Sequence, residues 1–249
     1  MISIQKYIET LPALAMEAPE NFGATERRPI TRYEKFAGPT LTRNSMAIPH
    51  VTHHEELDVT DLESRREAHN RSENADRLSL LPFVVKAVAA TLGACPMFNA
   101  SIDEERREVV LKKYFHIGIA VDTPHGLLVP VIKDCDTKSV SEIGAEISAV
   151  AQQAREKGLP MSAMTGGCFS VSSLGARGGT GFTPIINAPE VAILGISRTR
   201  VAPAPASDGS VQWRQLLPLS LSYDHRVING AAAGEFFHHL AQNLDKVAI

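Results

Sequence analysis

The sequence predicts one mixed α/β domain in which helices cover a sheet that contains hairpins. Three observations carry that expectation. Short apolar or alternating runs with a strand period recur at 48–59, 168–173, 190–198 and 211–223. Helical patterns with their own start and stop signals lie between and after them, at 60–74, 79–95, 139–157 and 231–247. Strands and helices are interspersed without a regular strand–helix period, which argues against a doubly wound sheet or a barrel. The 249 residues show no internal repeat and no interdomain linker, and they suffice for one large core.

Residues 1–45 are the least regular part. A short amphipathic segment is expected at 1–15, after which Pro19, Pro29 and Pro39 interrupt the chain. The cluster Arg27, Arg28, Arg32 and Lys35 reads as a solvated or subunit-contacting arm. The strand at 48–59 places His50, Thr52 and His54 on one face and Val51 and His53 on the other. Three histidines split between two faces do not make a metal site, and there is no His-Glu-x-x-His. Thr60 with Glu63 reads as a capping box. The helix at 79–95 tolerates Pro82 in its first turn and stops at Pro96. A strand at 109–122, a turn at 123–126 and a strand at 127–132 with Pro130 inside it predict a hairpin with an irregularity. Ser139 and Glu142 cap the cleanest helix, and Gly158 ends it.

The strand at 168–173 runs into a glycine-rich stretch, 174–181. It lacks the lysine and hydroxyl ending of a phosphate-binding loop and the spacing of a dinucleotide fingerprint. A Pro/Ala-rich loop is expected at 201–210. The strand at 211–223 is expected to break at Pro218.

Composition narrows the function. The chain is 44% apolar and 21% charged, with a formal charge of -3, so nothing draws it to nucleic acid. Cys95, Cys135 and Cys168 are widely spaced and odd in number, which fits a reduced compartment. No segment is long and apolar enough to span a membrane. A cytoplasmic protein is the expectation.

Two clusters carry chemistry. His225 stands between Asp224 and Arg226 where a strand meets a helix, with Asn229 and Gly230 following. Histidine is the side chain best suited to accept a proton near neutrality, and such a junction can hold it rigidly. Ser170, Ser172 and Ser173 lie in a run otherwise expected to be buried. They could supply a nucleophile or an oxyanion donor, or simply bond to backbone. No Gly-x-Ser-x-Gly elbow is present. Cys168 reads as a small core hydrophobe.

Four ordered blocks then resemble a known family. They are Ile48-Pro-His-Val-Thr-His-His54, Gly126-Leu-Leu-Val-Pro-Val-Ile132, Phe169 to Gly195 (with Ser172-Ser-Leu-Gly175 and Asn187-Ala-Pro-Glu190), and Asp224-His-Arg-Val-Ile-Asn-Gly230. The chain resembles the catalytic domain of the dihydrolipoamide acyltransferases of 2-oxo-acid dehydrogenase complexes, most of all the bacterial pyruvate type. The resemblance spans about 41–246. It implies a mixed-sheet, two-layer, chloramphenicol-acetyltransferase-like α/β fold assembled as homotrimers. It implies an arm at 1–40 and a catalytic domain at 41–249.

By the same resemblance, an acyl group passes between coenzyme A and a dihydrolipoyl thiol in a channel between subunits. His225 is then the general base, Ser172 of the adjacent subunit stabilises the oxyanion, and Asn229 helps position or polarise the site. Asp224 and Arg226 are structural at the site, and no metal takes part. No lipoyl-lysine motif is seen, so the lipoyl group is expected from a separate domain or chain in trans. Other subunits of a 2-oxo-acid dehydrogenase complex are the expected further partners. Few apolar residues remain at the C-terminus, which implies trimers without a larger cage. An inactive scaffold and transfer to a different small acceptor are the alternatives.

Overall fold

The computed structural model describes residues 17–72, 76–124, 126–175, 178–206 and 208–248. The amphipathic segment expected at 1–15 lies outside the described residues.

The sheet is built around one long strand, β11 (Val211–Asp224). Leu217, Leu219, Leu221 and Tyr223 point from it into the main core, while Ser220, Ser222 and Asp224 point the other way, and both sets are buried. That alternation is the period of a strand covered on both faces. β1 (His50–Asp58) runs antiparallel along one side of β11, from His50 opposite Asp224 to Asp58 opposite Leu216. On its other side β11 pairs antiparallel first with β10 (Arg200–Pro205) and then with β9 (Ala192–Ile196). β8 (Phe169–Ser173) lies parallel to β9 and to β4 (Ile117–Ile119), and β7 (Val131–Ile132) closes that edge antiparallel to β4. Two small hairpins stand apart: β2 (Ala100–Asp103) with β3 (Glu108–Leu111), and β5 (Val121–Thr123) with β6 (Gly126–Leu128).

Helices α3 (Leu81–Ala94), α4 (Val140–Lys157) and α5 (Gly230–Lys246) form the second layer. Phe83, Val88, Ile143, Ala154, Phe236 and Leu240 meet the sheet there with essentially no exposure. Phe236 stacks on Phe169 of β8 at 5.8 Å. Burying each such side chain stabilises the fold by about 1.5–3 kcal/mol relative to exposure. α4 begins and ends as expected: Ser139 and Glu142 exchange capping bonds, and Gly158 follows at φ 73.

Several elements differ from expectation. Residues 32–40 are not an irregular arm but the start of α1 (Arg32–Ala47), which contains Pro39. Thr31 and Glu34 form a full capping box, a signal that was legible, and Arg28 and Thr31 hold the Glu34 carboxyl down at about 2. Thr60 does not cap α2 (Thr60–Asn70); Val59 holds that position without a side-chain bond. The Thr60 hydroxyl is committed elsewhere, donating to Asp58 Oδ1 and accepting Gln215 N–H at 2.9 Å. Glu63 pairs with Arg66 instead.

The strand expected at 109–122 is three strands, β3, β4 and β5, because the chain serves three different ladders. The loop expected at 201–210 contains β10. On that edge strand Pro203 and Pro205 alternate, so their missing N–H groups fall on the unpaired side. Nor does Pro218 break β11. It sits where the partner strand changes from β10 to β9, and its carbonyl still accepts Ser197 N–H at 3.0 Å.

Replacing the α4 cap, Ser139→Ala, should lower unfolding stability by about 1 kcal/mol, read as a lower urea midpoint with an unchanged slope.

Candidate active site

β11 ends at a turn that Asp224 organises. The carboxylate is 1% exposed. Its Oδ1 accepts the Arg226 backbone N–H at 3.0 Å, and its two oxygens take the Arg226 guanidinium at 2.7–3.1 Å. Its backbone C=O accepts N–H groups from Val227 and Ile228. Its own N–H reaches Val191 O at 2.8 Å, at the threshold of β9. Arg226 also reaches Glu104 at 2.9 Å, and Asp224 with Glu104 makes its guanidinium still more basic despite burial.

His225 rides on this turn. Its backbone N–H is tied to Pro49 O at 3.0 Å, and its ring lies 6.0 Å from that of Tyr223. The residue is exposed, so the backbone is fixed while the imidazole remains accessible. Asn229, also exposed, caps α5: its side-chain oxygen accepts Ala232 N–H at 2.9 Å. Arg226 and Asp224 therefore fix the corner that presents His225 and leads into the Asn229 cap.

Ser172 lies elsewhere. Ser172 pairs with Gly195, and Gly195 with Ser220, so these residues share the sheet face turned away from the helices. Ser173 belongs to the opposite, core-directed parity, beside Ile196. Ser172 and Asp224 are separated by two strand spacings and four residue levels, on the order of 15 Å, and His225 is farther still. One chain does not bring Ser172 and His225 together.

The serine-bearing face is polar by construction. Thr52 bonds Ser222 at 2.8 Å and His54 bonds Ser220 at 2.9 Å. His50 is a tie: one ring nitrogen contacts Ile48 O at 2.8 Å and the other accepts Ile186 N–H at 3.0 Å, so the neutral ring is required. The Phe182 ring covers Gly195, where a Cβ would come within 2.7 Å of it. Ser172 and Ser173 open on a cavity of about 920 Å³ with Arg66, Arg155 and Arg198 in its lining.

The sequence profile of the 2-oxoacid dehydrogenases acyltransferase (catalytic domain) family matches residues 22–248. The chain belongs to that family. The acyltransferase domain is 50% identical over 226 residues to the dihydrolipoyllysine-residue acetyltransferase component of the pyruvate dehydrogenase complex of Cupriavidus necator, covering 90% of this chain and 40% of that protein. The corresponding Pseudomonas aeruginosa component is 49% identical over 226 residues, covering 90% of this chain and 41% of that protein. The chain thus spans about two fifths of the length of these relatives.

Among solved structures, one determined to investigate the role of a serine, a histidine and an asparagine in Azotobacter vinelandii dihydrolipoamide acetyltransferase superposes with a TM-score of 0.90. It is 44% identical and covers 95% of this chain and 98% of that one. Chloramphenicol acetyltransferase, at 15% identity and a TM-score of 0.55 over 83% of this chain and 94% of that one, shares the fold. The expected mixed-sheet, two-layer architecture is the one observed.

Cys168 and Cys135 are both buried in the acyltransferase domain. Burial pushes the Cys168 thiol up to about 11 and that of Cys135 up to about 12, leaving no ready thiolate. Among the described residues no group of three or more His, Cys, Asp or Glu could hold a metal ion.

One buried group escaped the sequence reading. Glu190 is 4% exposed, and its Oε2 and the nearby Ser170 Oγ have no hydrogen-bond partner of good geometry. Burial pushes the carboxyl up to about 7, although Ser170, Lys112 and Asn187 pull against it. Its signal in the sequence was an acid immediately before the apolar run 191–196.

The folded state holds this proton up to about 7, whereas an ordinary glutamate releases it near 4.5. Stability present below about 4.5 is therefore lost as pH rises through about 7, on the order of 3 kcal/mol. Urea denaturation at pH 5 and pH 8 should show that Glu190→Gln lacks this loss. Asp224→Ala should lower the urea midpoint by the same measurement, because the Arg226 backbone N–H and guanidinium lose the acceptor that closes the turn.

Proposed function

We propose that this domain transfers an acyl group, acetyl by its relatives, between coenzyme A and the thiol of dihydrolipoamide. The observation that carries this reading is the separation of His225 from Ser172. Each is well placed for half of an acyl-transfer site, and a second copy of the chain supplies the other half. The Azotobacter relative pairs a histidine with an asparagine four positions later, as His225 and Asn229 stand here. Its serine lies 52 positions before that histidine. Ser173 has that spacing to His225 and Ser172 differs by one, so number alone does not choose between them. Sheet parity favours Ser172, which turns to the polar face, whereas Ser173 turns toward the core.

In the proposed reaction His225 takes the proton of the attacking thiol as sulfur reaches the thioester carbonyl. Ser172 of the adjacent subunit donates a hydrogen bond to the tetrahedral oxyanion. Collapse expels the second sulfur, which recovers the proton from His225. No acyl-enzyme is needed. Asn229 spends its oxygen on the α5 cap, leaving its Nδ2 group to orient a substrate. The arginines of the 920 Å³ cavity suit the phosphates of coenzyme A.

The same reading gives a homotrimer with shared sites, in line with the cubic pyruvate dehydrogenase core that superposes at a TM-score of 0.90, 45% identical over 95% of this chain and 98% of that one. It gives a lipoyl domain acting in trans, the partner subunits of a 2-oxo-acid dehydrogenase complex, and a cytoplasmic setting. The catalytic domain then takes in residues 41–249 together with the part of α1 that precedes them, in keeping with a family match that begins at residue 22.

Steady-state assays with acetyl-, succinyl- and branched-acyl-coenzyme A against free dihydrolipoamide test this. Acetyl transfer should dominate. His225→Ala should lower kcat by about 10²–10⁴-fold and Ser172→Ala by about 10²–10³-fold, with Ser173→Ala near wild type. No transfer with any donor, or near-normal turnover in His225→Ala, contradicts the proposal.

A further inference from the structure

We propose that Glu190 is a positioning residue that links β8, which carries Ser172, to the Val191–Asp224 contact that seats His225. This rests on the acyl-transfer reading above.

The link is short at both ends. Glu190 directly precedes Val191, whose carbonyl accepts the N–H of Asp224 at 2.8 Å, and Asp224 organises the His225 turn. In the other direction its side chain crosses toward β8 and β4. Two glycines clear its path: a Cβ on Gly167 would come within 2.8 Å of Glu190 Oε1, and one on Gly118 within 2.9 Å of Ser170 Oγ. Ser170 shares its face of β8 with Ser172, two residues on. A trimer that shares its sites splits these two ends between neighbouring active centres, so Glu190 ties one centre to the next.

The surroundings favour the neutral acid. Among the described residues the other buried carboxylates, Glu63 and Asp224, each pair with an arginine, whereas Glu190 makes no ion pair. Lys112 faces it from the end of β3, but its Nζ is directed at Gly167 O at 3.4 Å, and burial lowers its own basicity. The Cys168 thiol adjoins from the start of β8 and is kept protonated by burial. Across a pocket of about 360 Å³ stand Arg43 of α1 and the trio Glu104, Asp224 and Arg226; the trio already satisfy one another, and Arg43 makes no ion pair with Glu190. Ionising Glu190 places an uncompensated charge beneath β8, and the relief available is movement of the 187–191 segment that anchors Asp224. The neutral acid instead can donate a hydrogen bond to the nearby Ser170 oxygen.

The test uses the assembled protein and two readouts. Infrared spectra at pH 6 should contain the carbonyl stretch of a protonated carboxylic acid, absent from Glu190→Gln and lost from wild type as pH rises. The pH profile of acyl transfer should show an alkaline decline in kcat, with KM nearly constant, that disappears in Glu190→Gln. In Ser170→Ala the decline should move to higher pH, because a hydroxyl that helps the ionised form is gone. Glu190→Ala, with neither charge nor reach, should lower kcat about tenfold at every pH, and the Gln variant should recover it. An alkaline decline unchanged in Glu190→Gln, or no carboxylic-acid band in wild type at pH 6, overturns the proposal. Should Glu190→Gln fail to fold, the wild-type band and the Ser170→Ala shift decide. A band that titrates in a protein transferring no acyl group supports the held proton and counts against the reaction.

Discussion

The carboxylate of Asp224 is buried at the point where β11 stops being a strand, and the local geometry depends on it. It accepts a backbone N–H and a guanidinium, its carbonyl closes the turn, and its own N–H binds the approach to β9. A buried charge of this kind is tolerated only with a well-made partner, and Arg226 is that partner. His225 gains a fixed backbone from this arrangement while its ring stays accessible. The expense of burying an ion pair goes into rigidity at one corner, which suits a group that must meet a reacting atom to within a fraction of an ångström.

The two-faced character of β11 divides the molecule into a scaffold and a working surface. Its leucines and Tyr223 anchor the helical layer, while its serines and Asp224 look onto a polar face tied by His50, Thr52 and His54. Because Ser172 projects from that face at one end of β8 and His225 stands beyond the other end, sheet geometry holds them apart within one chain. The proposed pairing of subunits follows from this separation. On that proposal an intact site requires assembly.

Much of this was legible in the sequence. The alternation from Leu219 onward was readable as a strand, the Ser139–Glu142 box fixed α4, and the charged corner at 224–226 marked the turn where β11 ends. What was hidden depended on partners distant in the chain. Thr60 looks like a cap until Gln215 claims its hydroxyl. Pro203 and Pro205 look like loop residues until an edge position makes their missing donors harmless. Glu190 looks like the polar first residue of a strand until Gly118 and Gly167 leave room beneath β8 to bury its carboxyl. The Thr31–Glu34 box, by contrast, was local and readable, but the neighbouring prolines outweighed it.

The central claim is that His225 and Ser172 act together across two copies of the chain. Co-folding equal amounts of His225→Ala and Ser172→Ala tests it most directly. Each variant alone lacks one half of every site. Random mixing makes about three quarters of the trimers mixed, and each of these unites an intact His225 with an intact Ser172 at one site in three, so acyl transfer should return to about a quarter of the wild-type rate. Activity in the mixture no greater than the average of the two separate variants, with mixed trimers verified by mass, would contradict the account.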